Sequence, residues 1–62
     1  MNKPTVKLVG QDGNVFNIIG LVSKALIKAH QQDKEKEFTN RVFNATSYDK
    51  VLQLAMEYCE VE

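Results

Sequence analysis

The sequence predicts an α+β domain of order β-α-α-α-β, with a two-stranded sheet made from the chain's two ends and three helices packed on it. Three observations predict it. Apolar residues alternate with polar ones in "TVKLV" near the start and "YCEVE" at the end, the period of a half-buried strand. Between them, three stretches repeat apolar residues at steps of three and four, the period of a helix. Residues suited to caps and turns separate these stretches, and no repeat, low-complexity segment or linker divides residues 1–62, so one domain is expected.

The first strand covers residues 5–9 and follows Pro4, a residue tolerated at a strand start. Val6 and Leu8 are expected to face the core, with Thr5, Lys7 and Val9 on the other side. Gly10 to Gly13 reads as a tight turn, because Asp12-Gly13 is a turn pair and glycine adopts the positive backbone torsion that other residues avoid.

Asn14 is placed to cap the first helix by accepting from free N–H groups of its first turn. Val15, Ile19, Val22, Leu26 and Ala29 recur on one face, with Ile18 and Ala25 beside them. Asn17, Lys24 and Lys28 project from the opposite side. Phe16 and Ile27 lie on one flank with Gly20 and Ser23, and Leu21 falls close to the lysine side. So wide an apolar arc marks either the central element of the fold or a helix with a second surface to cover.

Asp33 is expected to cap a second helix carrying Phe38, Val42 and Ala45 as its stripe, with Glu37 and Arg41 at ion-pair spacing. Thr46 with Asp49, or Ser47 alone, caps a third helix whose pattern is Tyr48, Val51, Leu52, Ala55 and Met56, ending near Tyr58. The last strand sets Cys59 and Val61 on one side and Glu60 and Glu62 on the other. Its natural partner is the first strand, where Lys3 and Lys7 complement those glutamates. The relative direction of the two strands is left open.

Composition narrows the function classes. The chain is 44% apolar and 26% charged, the balance of an ordinary soluble domain. Sixty-two residues bury only about 60% of the surface their unfolded chain exposes, so a small domain of this kind often gains stability from a disulfide, a metal or self-association. A single cysteine, Cys59, forms no internal disulfide, which leaves self-association open. The N-terminal stretch lacks the apolar core of a signal peptide, and no run is long and apolar enough to span a bilayer. A cytoplasmic location, without membrane contact, is the expectation.

Formal charge sums to zero but is unevenly spread. Residues 1–30 carry Lys3, Lys7, Lys24 and Lys28 against Asp12, a net of +3, and the remainder carries −3. A dedicated nucleic-acid binder shows an uncompensated basic face, which this pattern lacks.

The chemistry-bearing motifs are sparse. Gly10, Gly13 and Gly20 match neither the dinucleotide fingerprint nor a phosphate loop. Counted from Asp12 as a calcium loop, the sixth position is Asn17 where glycine is needed, and the twelfth is Ser23 where glutamate is needed. His30 and Cys59 are the candidates for nucleophilic chemistry, but no motif supplies an orienting group or an oxyanion site. His30 suits a helix C-terminus and Cys59 a strand's inner face. Glu57, Glu60 and Glu62 read as a solvated acidic tail. No catalytic residue, cofactor site or metal site is expected, and the protein is expected not to be an enzyme.

Two stretches, "KPTVKLVGQDGNVFNIIGLVSKAL" and "SYDKVLQLAMEYCEVE", resemble a group of short bacterial and phage-encoded proteins of unknown function. The similar features are the Val-Lys-Leu-Val-Gly strand, the Asp-Gly-Asn turn, the long apolar helix and the Glu-Val-Glu tail. Residues 30–45 fall outside the resemblance. It implies a compact αβ fold and an origin in a phage or other mobile element, and names no activity.

The expected function is therefore a small non-enzymatic interaction module that self-associates, as a homodimer, or binds a protein partner. Its contact residues are expected to be Phe16, Gly20, Leu21 and Ile27. The alternative is a weak nucleic-acid-associated regulatory protein using Lys24 and Lys28 with Lys34, Lys36 and Arg41 from the second helix. No aromatic residue is interleaved with these cations to stack a base.

Overall fold

A computed structural model describes residues 3–8, 10 and 13–62. The order is β1 (Thr5–Val6), α1 (Val15–Lys28), α2 (Gln32–Phe43), α3 (Tyr48–Tyr58) and β2 (Glu60–Val61), the expected β-α-α-α-β arrangement. The two strands form one sheet and run parallel, with Thr5 opposite Glu60 and Val6 opposite Val61. Parallel neighbours cannot be joined by a hairpin, and here the whole helical layer forms the crossover. The ladder continues past the strand ends: Glu62 N–H donates to Val6 O at 2.9 Å and Leu8 N–H to Glu62 O at 2.7 Å. Val9, expected to end the first strand, lies outside the described residues, as does Asp12 of the turn.

The core joins β1 and the three helices, while both β2 residues stay exposed. Val6 from β1, Ile18, Val22 and Leu26 from α1, Phe38 and Val42 from α2, and Val51, Leu54, Ala55 and Tyr58 from α3 are buried, as is Cys59, the C-cap of α3 just before β2. Phe38 is fully buried and meets the Tyr58 ring edge-on, with centroids 5.6 Å apart. At about 0.05–0.15 kcal/mol per residue the whole domain has only about 3–9 kcal/mol of stability. Truncating Phe38 to alanine, at about 3–5 kcal/mol, would consume much of it.

Local boundaries follow from capping. Asn14 caps α1 as expected, its side chain accepting from Phe16 N–H at 2.8 Å. Gly10 has φ of +82°, so the turn before α1 uses the torsion for which glycine is suited. Ser47 alone caps α3, accepting from Lys50 N–H at 3.2 Å. Lys3 reaches the far end of α3, where its ammonium donates to Met56 O at 3.0 Å, a cation at the negative end of a helix dipole.

Four expectations are corrected. α2 starts at Gln32 after the cap residue Gln31, so Asp33 sits inside the first turn. α1 closes with His30 N–H on Ile27 O and Gln31 N–H on Leu26 O, a Schellman turn. That leaves His30 left-handed at φ 60° and launches α2 two residues early. On α3, Met56 is exposed and Leu52 half-buried, while Leu54 and Tyr58 are buried; the inward face is set by Phe38, which draws the Tyr58 ring inward. Glu37 does not pair with Arg41: the guanidinium takes Glu57 of α3, and Glu37 accepts from the Tyr58 hydroxyl. Lys3 turns to the α3 carbonyl, and the sole ion pair among the described residues is Arg41–Glu57.

Candidate interaction surface

α1 is the central helix, packed against β1, α2 and α3. Its inward face, Ile18, Val22 and Leu26, is consumed by the core. Its outward face still carries large apolar side chains: Phe16 is 77% exposed and Ile27 47% exposed. Between them sits Gly20, with open space where a side chain would begin, and half-buried Ser23. The four residues fall on one stripe because steps of four, three and four nearly match whole helical turns.

Leu21 does not belong to this stripe. It lies roughly a third of a turn round the helix, half-buried against the core, and lines a groove with Pro4–Lys7 of the sheet edge. The structure therefore brings Phe16, Gly20 and Ile27 together and puts Leu21 on a separate surface.

The outer stripe continues onto neighbouring elements. Phe43, the last residue of α2, is 79% exposed, and Tyr48, the first of α3, is also exposed. With Phe16 they border a concavity of about 390 Å³ floored by Val15, Ile19 and Val51. Phe43 has no place in the sequence-predicted stripes, and Tyr48, expected in the apolar pattern of α3, is exposed because it sits at the first residue of that helix. A signal existed nonetheless: Phe43 falls off the Phe38–Val42–Ala45 stripe, so its ring had no core position to fill.

The cations proposed for nucleic-acid contact are dispersed. Lys24 and Lys28 line the β1 groove, Lys34 and Arg41 border a concavity with Glu37, Glu57 and Tyr58, and Lys36 flanks another with Glu35, Thr39 and Asn40. Arg41 is engaged bidentately, Nη1 to Glu57 Oε1 at 2.8 Å and Nη2 to Oε2 at 3.3 Å, and also donates to the Tyr58 hydroxyl at 3.1 Å. Those hydrogen bonds hold its proton more firmly than usual. Burial first, and then the Glu37 carboxylate, push the Tyr58 phenol upward, against the opposing Arg41 contact.

Cys59 is 1% exposed, and burial pushes its thiol up against the weaker attraction of Lys3. The neutral thiol is a poor nucleophile. His30 is exposed at the end of α1. Among the described residues no three His, Cys, Asp or Glu side chains gather as a metal-ligand set, and no helix is long and apolar enough to cross a membrane.

Comparison with protein-family patterns, characterised proteins and solved structures finds no match for this chain.

Proposed function

We propose that this chain is a non-enzymatic interaction module that pairs with a second copy of itself through the outer stripe of α1. The observation that carries this is the pair of exposed side chains, Phe16 and Ile27, flanking an open Gly20. A two-fold interface must be self-complementary, so whatever one copy offers the other must receive. The stripe reads large, small, small, large from either end. Two α1 helices crossing antiparallel set Phe16 of each copy against Ile27 of the other, and Gly20 against Ser23, where small residues allow close approach. The Phe16–Phe43–Tyr48 concavity then receives the Ile27 side chain of the second copy.

The energetics fit a modest dimer. Fully burying a Phe or Ile side chain is worth about 1.5–3 kcal/mol, and four such side chains are covered at once. The four together supply about 6–12 kcal/mol, comparable to the roughly 4–15 kcal/mol of freedom lost on association, so pairing is expected only at high protein concentration. The free cysteine and the resemblance to short phage-encoded proteins support a cytoplasmic setting and a mobile-element origin.

Sedimentation equilibrium from micromolar to millimolar concentration tests the pairing. A mass approaching twice the 7.0 kDa of the chain is expected, reverting to one copy in Phe16→Glu with the helical spectrum intact. A wild-type protein that stays at one copy throughout would remove the proposal.

A further inference from the structure

We infer that the outer edge of β1 takes an extended acidic peptide segment of a protein partner as a third strand. The inference concerns a different surface from the α1 stripe and does not depend on pairing of the chain.

The backbone of β1 supplies the first reason. Pro4 O, Val6 O and Leu8 N–H all turn towards β2. Strand geometry then points the N–H and C=O groups of Thr5 and Lys7 the other way, to an edge that no strand covers among the described residues. Such an edge is a template for another chain.

Charge supplies the second. Beside this edge runs a groove of about 460 Å³ between β1 and α1, with Leu21 and Ala25 as apolar lining. Lys7, Lys24 and Lys28 surround it, and among the described residues no acidic one lines it. Lys24 and Lys28 stand one helical turn apart, so both reach along the same strand. None of the three makes an ion pair or hydrogen bond among the described residues. A row of unspent cations beside open backbone groups suits a chain with acidic side chains.

The third reason is internal. The segment that already pairs with β1 is Glu60-Val61-Glu62, acidic residues alternating with an aliphatic one. On the open edge a similar segment can direct the carboxylates of one face towards Lys24 and Lys28 and leave its aliphatic residue on the other face. A nucleic-acid strand fits less well. It offers no alternating donors and acceptors to the β1 edge, and no aromatic ring lines the groove to stack a base.

The test is titration of the isotope-labelled full chain with acetyl-Glu-Val-Glu-Val-Glu-amide, followed by amide chemical shifts. Shifts confined to Thr5, Lys7 and residues 21–28 are expected, weakening as salt is added. Lys24→Glu with Lys28→Glu, both on exposed positions, should weaken binding about tenfold for the loss of two partly screened ion pairs. A peptide N-methylated at its pairing residues should bind far less well, a result that needs no protein variant. The inference is overturned if the groove residues do not shift at millimolar peptide, or if the N-methylated peptide binds equally. An oligothymidylate of equal charge binding the groove more tightly than the peptide would also overturn it, in favour of a nucleic-acid ligand.

Discussion

The Tyr48 hydroxyl donates to the Gly13 carbonyl at 2.7 Å, tying the first residue of α3 to the loop that leads into α1. The Tyr48 phenol thus holds Gly13, just before the α1 cap, from across the fold. Tyr48 is exposed, so water can replace part of what the bond supplies. Tyr48→Phe is expected to cost about 0.5–1 kcal/mol, or about 2–8 °C in melting temperature for a domain of this size. A melting curve unchanged by the substitution would show that the hydroxyl contributes nothing to holding the loop.

His30 is a second point of local tension. It occupies the left-handed position of the Schellman turn at φ 60°, a conformation that costs a residue with a side chain about 1–2 kcal/mol. Glycine relieves that cost but adds about 0.5–1 kcal/mol of unfolded-chain freedom. His30→Gly is therefore expected to stabilise the fold by about 0.5–1 kcal/mol net, read as a higher urea midpoint. A lower midpoint would mean the imidazole makes a compensating contribution.

These two sites mark what the sequence could and could not disclose. Gly10, Asn14 and Ser47 obey rules that act within a few residues, and each does what its position predicts. The start of α2 also looked local, with Asp33 a good cap by type. It was decided instead by the Gln31 N–H closing onto Leu26 O, a geometry that glycine usually announces and histidine here conceals. Arg41 illustrates the same loss at longer range. Its four-residue spacing from Glu37 was real, but a bidentate Glu57 on another helix is the stronger partner. For the candidate surface, Phe16, Gly20 and Ile27 were legible from helical period alone. Phe43 and Tyr48 join them only when three helices are packed, and Leu21 leaves them because the sheet edge lies on its side.

Alkaline pH should probe the α2–α3 contact. The Tyr58 phenol sits above its ordinary value of 10.0 because burial, then Glu37, disfavour phenolate. A group whose folded value is raised holds its proton more tightly in the folded state. Its stabilisation is complete below pH 10 and is lost as pH climbs through the folded value. Cys59, raised from 9.0 chiefly by burial, adds the same sign of dependence from a pH about one unit lower. Urea midpoints should therefore fall as the pH climbs above about 9, and fall less steeply in Tyr58→Phe. Equal slopes in the two proteins would assign the alkaline loss to other groups.

Gly20→Ala separates the core role of α1 from its outer role. Within one copy the added methyl group meets nothing within 4 Å, and alanine in a helix interior is favoured over glycine by about 0.5–1 kcal/mol. The isolated fold should therefore become more stable. In the proposed antiparallel pair the same methyl group would enter the closest point of the helix crossing, pushing the two axes apart and uncovering Phe16 and Ile27. At low protein concentration the melting temperature is expected to rise by about 2–8 °C. At high concentration the variant should lack the concentration-dependent gain in melting temperature that the proposed self-association would confer on the wild type. If Gly20→Ala raises stability and leaves the concentration dependence intact, the crossing does not run through Gly20, and the self-contact must lie at the Phe16–Phe43–Tyr48 end of the surface alone.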